Sequence, residues 1–129
     1  MKVVVQAHTM AEVKNMRAFL IGALGYPALE LMWRGRTHYS MALAGGASAA
    51  CFQRISRTAL PQAAKAALGG GAVTAIEGLC GAVWNQKHRV WDYRRMPLNW
   101  HGQVCLPFSI LWCALADAWM RLDKAGRKA

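Results

Sequence analysis

Acidic residues are scarce. Six Asp and Glu stand against sixteen Lys and Arg, a formal net charge of +10. Such a balance suits nucleic acid or an anionic membrane, and composition alone does not choose between them. Metal-ligand spacing is also missing. Cys51, Cys80, Cys105 and Cys113 form no CxxC pair, and His8, His38, His88 and His101 show no HxxxH spacing. Buried free thiols are therefore expected, in place of a disulfide framework or a metal site. No GxxxxGK[ST] phosphate loop occurs, because the glycines at 69–71 lack the following Gly-Lys. The chain by itself cannot power ATP-driven movement. No nucleophile–base spacing is present either, so no catalytic residue is assigned and no cofactor is expected. The first seventeen residues hold Lys2, Glu12, Lys14 and Arg17 and no apolar core of the kind a cleavable signal needs.

Charge is absent from long stretches as well. Only Glu77 is charged between Lys65 and Lys87, and nothing is charged between Arg95 and Asp117; each gap is 21 residues. Ala18–Trp33 and Thr37–Gln53 are shorter gaps of 16 and 17 residues, the first containing Glu30. A spanning helix needs about 20 mostly apolar residues, and basic ends extend a short span by snorkelling. A soluble nucleic-acid-binding domain would spread its charges through its helices. The expectation is an all-α, multi-pass membrane bundle of about four transmembrane helices, binding lipid and no nucleic acid.

Four helices are predicted, at about 16–33, 39–55, 62–84 and 102–120. A single membrane domain results, with a polar segment at 1–15 and a basic tail at 121–129. Small residues crowd ALAGGASAA at 42–50 and GGGAVTA at 69–75, and in lipid they let helix backbones approach closely. If the N-terminus, second loop and tail share a side, that side carries ten basic residues against six opposite. The positive-inside rule then puts both termini in the cytoplasm. Trp33, Trp84, Trp91 and Trp100 fall at the outer boundary, where aromatic belts lie.

Helices 1 and 3 each carry one glutamate in the outer half, followed at four-residue spacing by Arg34 and His38 in one case and by Gly81 and Asn85 in the other. Side chains four apart share a helix face, so two helix pairs related as a parallel repeat are expected. A carboxylate in lipid costs about 2.5–3.5 kcal/mol on insertion scales and must find partners. Arg34 is the expected partner of Glu30. For Glu77 the candidates are Arg94, Arg95 or another chain, and the alternative is that it is protonated.

The stretch Glu30–Met41 reads ELMWRGRTHYSM, and Glu77–Trp112 contains E-x3-G-x3-N-x5-WDY followed by PLN-x2-GQ-x-CLPFS-x2-W. These runs resemble a family of small bacterial membrane proteins labelled Putative ABC-transporter type IV, or ABC transporter permease. The resemblance covers about residues 18–116. It implies a transport-related protein of the bacterial cytoplasmic membrane, and it carries over to Glu30, Trp33, Arg34, Gly35, Thr37, His38 and Ser40. In the second half it carries over to Glu77, Gly81, Asn85, Trp91, Asp92, Tyr93, Pro97, Asn99, Gly102, Gln103, Pro107 and Phe108. Lys87, Arg89, Arg94 and Arg95 depart from the pattern by making the loop unusually basic.

The loop 85–101 is expected to cap the outer mouth of the bundle. Asp92 would pair with Arg34, Arg36 or an adjacent arginine, and Asn99 would cap helix 4. Asn99 and Gln103 would turn amides toward the glutamates, and Pro107 would kink helix 4. The ligand-binding or structural polar cap is thus Glu30, Arg34, His38, Glu77, Asn85, Trp91, Asp92, Tyr93, Asn99 and Gln103. Three functions are in play. One is a permease-like subunit working as a homo-oligomer or with a separate ATPase. Another is a lipid-headgroup binder or enzyme using Arg34, Arg36, Arg94 and Arg95. The last is a small pore-forming or structural protein of the holin kind.

Overall fold

The computed structural model describes residues 1–128. Among these, four helices and one short hairpin follow in the order α1 (Lys2–Arg34), α2 (Tyr39–Ser56), α3 (Gln62–Trp84), β1 (Asn99–Trp100), β2 (Val104–Cys105) and α4 (Leu106–Lys128). The hairpin is antiparallel, with Asn99 opposite Cys105 and Trp100 opposite Val104.

Helix α3 has the expected bounds and α2 ends one residue later than expected. Helix α1 differs most. The segment 1–15, expected only to be polar, is the first half of a 33-residue helix, because no Gly or Pro interrupts the chain before Gly22. At 1.5 Å per residue α1 reaches about 50 Å and outruns the 18-residue α2. It stops at Gly35, whose φ of 70° is left-handed and whose N–H bonds the Leu31 carbonyl at 3.0 Å. His38 lies beyond that break. It is the N-cap of α2, with Nδ1 accepting from the Ser40 N–H at 3.2 Å. The expected stripe Glu30–Arg34–His38 is therefore cut after Arg34.

Helix α4 begins at Leu106, not at Gly102. The uncharged run 96–116 is split between the hairpin and the helix, so only Leu106–Ala116 of it is helical before Asp117. Pro107 is the second residue of α4. In the first turn a proline has no hydrogen bond to lose, so it starts the helix and does not kink it. Among the described residues, α3 alone is both long and apolar enough to cross a membrane. Lack of charge is not the same as apolarity, since α2 is diluted by Ser and Gly and α1 carries Glu30 in its last turns.

Glycines set the two tightest helix contacts. A Cβ on Gly22 would strike the Gly45 carbonyl oxygen, and one on Gly45 would strike the Gly22 oxygen, so α1 and α2 touch backbone to backbone. On α3, a Cβ at Gly70 would meet the Cys113 N at 2.8 Å on α4. One turn along, Thr74 Oγ1 lies 2.8 Å from Ser109 Oγ. Gly78 faces the Val104 side chain. The four-residue stripe Gly70–Thr74–Gly78 is thus a packing seam. Between the helix pairs, Phe52, Val73, Trp112, Ala116 and Met120 form one buried cluster, and Met41, Ala44, Cys80 and Trp91 form another.

Candidate functional site

The segment 85–105 folds back over one end of the bundle, and a single side chain organises it. Asn85, the C-cap of α3, is 1% exposed. Its Nδ2 donates to the Trp91 carbonyl at 2.7 Å and to Gln103 Oε1 at 2.8 Å. Its Oδ1 accepts from the N–H groups of Val90 and Trp91 at 2.9 and 3.2 Å. Gln103 Nε2 returns to the Asn85 carbonyl at 2.8 Å, and the Trp91 indole N–H reaches the Gln103 carbonyl at 2.9 Å. Gln103 rests against Gly81, where a Cβ would collide with it. Buried amides are tolerated only when satisfied in this way.

The cap delivers Tyr93 to the interior. Its ring stacks on Phe108, centroids 4.8 Å apart, and its hydroxyl donates to Glu77 Oε1 at 3.0 Å. The other oxygen of Glu77 accepts from Trp112 Nε1 at 3.0 Å. Burial first, and then the negative charge of Glu77, pushes the Tyr93 phenol well above its usual range, so it stays a donor. Glu77 thus has two neutral donors within the chain, and neither Arg94 nor Arg95 reaches it. Glu30 does take Arg34, at 2.8 Å, and Arg34 Nη1 also holds the Val90 carbonyl of the cap at 3.2 Å. Glu30 Oε1 is buried with no hydrogen-bond partner.

Both glutamates line a cavity of about 230 Å³ between the helix pairs. Its walls are mostly apolar and aromatic, with Tyr26, Trp91, Tyr93, Trp112 and Trp119 among them; Glu30, Arg34, Ser48 and Glu77 supply polar groups. The Trp119 indole N–H is likewise buried without a partner. Pockets that bind small molecules have this composition, with a few polar groups in an apolar cleft.

A family model described as Putative ABC-transporter type IV matches residues 38–125. The chain belongs to that family. The chain matches no curated protein and no solved structure. In this type IV chain the matched span takes in α2, α3, the cap and most of α4, while Glu30 and Arg34 precede it.

Several cap residues of the type IV chain act on the loop itself and not on the glutamates. Asp92 pairs with Arg94, accepting from its backbone N–H at 3.0 Å and from Nε and Nη2 at 2.9 and 2.7 Å. That partner holds the Asp92 carboxyl well below the usual range, and the pair is at the surface, distant in role from Arg34. Asn99 does not cap α4. It sits in β1, where Nδ2 donates to the Met96 carbonyl at 2.9 Å and Oδ1 accepts from the Gly102 N–H at 3.0 Å, because the hairpin separates it from the helix. Gly102, φ 68°, closes that turn against Arg94 and His88. Neither the Asn99 nor the Gln103 amide reaches a glutamate. Trp91 is 5% exposed and belongs to the core, whereas Trp33 and Trp100 are 90% and 63% exposed. Sequence reasoning does not find the cavity walls from Tyr26 and Trp119, although Tyr26 stands four residues before Glu30 and so shares its face.

Proposed function

We propose that this chain is a membrane-embedded permease-type subunit of a transport assembly, lying in the bacterial cytoplasmic membrane with both termini on the cytoplasmic side. Its energy would come from a separate ATPase, and a second copy or that partner completes the path. The family supports the transport reading, and the candidate span α3 supports the membrane. Exposed apolar side chains support it too, since Leu24 on α1, Leu79 on α3 and Ile110 on α4 are 73%, 71% and 62% exposed. Apolar faces of that kind call for lipid or a partner.

The cavity with two buried glutamates carries the reading of what is handled. Its walls suit a mostly apolar molecule, and the free Oε1 of Glu30 suits a hydrogen-bond donor or cation on that molecule.

Gly25 lines the cavity, and a Cβ there meets nothing within 4 Å. Gly25→Leu should therefore fill the cavity without disturbing the helices. Metabolite profiles of cells carrying that variant should match those of cells lacking the chain, at unchanged protein level. A profile like the wild type would remove the cavity from function. For topology, cysteines introduced at Lys87 and Thr58 in a cysteine-free background should react with a membrane-impermeant thiol reagent from opposite sides. Labelling from one side, or release of the chain by alkaline carbonate, would end the multi-pass reading.

A further inference from the structure

At the end of the bundle opposite the cap lies a second basin, of about 290 Å³, bounded by the α2–α3 turn, the start of α3 and the end of α4. Arg57, Lys65, Lys124 and Arg127 line it, joined by Thr58 and Gln62, and no acidic side chain does. Cations brought together from three chain segments repel one another unless an anion sits among them.

Other features of the site fit an anion. Arg57 Nη1 is used weakly, on the Ala11 carbonyl at 3.4 Å, while its Nη2 is buried with no partner. That nitrogen is closed to solvent, so it contributes positive charge to the wall and no direct contact to what the basin holds. Helix α3 starts at the basin with Pro61 as N-cap, no side-chain cap and no acid in its first turn. Its free N–H groups and the positive end of its dipole are left for an external anion. The nearby carboxylates bond residues of the basin wall without lining it themselves. Asp117 takes Gln62 Nε2 at 2.7 Å and Arg121 at 2.8 Å; Asp123 takes Gln53 and Ser56 at 3.1 and 2.9 Å, and Arg127 only at 3.5 Å. Lys65 Nζ bonds the Ser56 carbonyl at 2.9 Å, which points its charge along the turn.

We infer that this basin binds a phosphate group, carried either by a lipid headgroup or by a small soluble phosphate. Arg57 and Lys65 form the inner wall, and Lys124 and Arg127 close over the oxygens from α4. Phosphate binding here rests on charge and geometry alone and does not depend on what the central cavity carries.

The test uses the full chain purified in uncharged detergent. One arm titrates inorganic phosphate by calorimetry. The other adds dioleoyl phosphatidic acid or, as control, phosphatidylcholine, and reads bound lipid by native mass spectrometry. Lys124 and Arg127 are exposed, so the K124A/R127A variant should melt as the wild type does without phosphate. Its affinity should fall by about tenfold or more, the usual scale for losing a charged hydrogen bond. Arg95→Ala, at the opposite end, should bind as the wild type does. Binding of inorganic phosphate with that pattern assigns a soluble ligand, and binding of phosphatidic acid alone assigns a lipid. Thr58→Asp, which puts a negative charge on the rim, should weaken either one. Absence of binding in both arms, or binding that K124A/R127A and Thr58→Asp leave untouched, overturns the inference.

Discussion

Asn85→Ala should destabilise the chain by roughly 3–5 kcal/mol, at the upper end of what single substitutions do. The substitution removes all four side-chain hydrogen bonds of Asn85 and leaves the Trp91 carbonyl and Gln103 Oε1 without their donor. It also strands the N–H groups of Val90 and Trp91. No water can replace these partners at a site that is 1% exposed. The effect should appear first in the cap. Trypsin should begin to cut after Lys87, Arg89, Arg94 or Arg95, and the melting temperature in detergent should drop. Asn85→Asp keeps the acceptor and loses the donor, so it should fall between the two. A variant with wild-type melting and an uncut loop would show that Asn85 does not organise the cap. The consequence for the cavity is direct, because the cap is what carries Tyr93 to Glu77.

The second large effect is expected at Gly45→Val. Any Cβ there meets the Gly22 carbonyl oxygen and comes within 2.6 Å of the Tyr26 Cβ. Backbone cannot rotate away as a side chain can, so α1 and α2 must separate. Overpacking of this kind costs about 1–3 kcal/mol, with backbone clashes at the upper end. Where packing and not hydrophobicity drives helix association, little compensates for the lost contact. Gly46→Ala provides the contrast, since the nearest atoms its Cβ would meet are those of the Phe19 ring, at 2.8 Å, and that ring can turn. Melting in detergent should rank wild type, Gly46→Ala and Gly45→Val in falling order. Equal melting of all three would mean the α1–α2 contact is loose. Gly22 and Gly45 also line the cavity, so the larger variant should alter its shape as well.

Part of the site is legible in the sequence. The spacing of Glu30 and Arg34 follows helix geometry, and the ion pair forms as that spacing requires. The stripe of small residues on α3 leads to a packing seam for the same reason. Charge alone points Glu77 toward arginines, whereas burial favours neutral donors that lose less on leaving water. Asn99, Gln103 and Pro107 depart from expectation together, for one reason. The sequence starts helix 4 at Gly102, close behind Asn99, while the chain turns through a hairpin with positive φ at Leu98 and His101 and begins α4 only at Leu106. Few single-sequence signals announce such a turn, since glycine, not leucine or histidine, is the usual occupant of that region.

The number of helices, the bounds of α2 and α3 to within a residue, and the family carried by the motifs at 30–41 and 77–112 are properties of the chain as written. They depend on local spacing and composition, which act within a turn or two of helix. Tertiary structure alone decided that Asn85 locks the cap, that Tyr93 and Trp112 share Glu77, and that four distant cations meet in one basin. Those outcomes rest on contacts between residues far apart in sequence, where which groups lose their water together is settled only once the helices have packed.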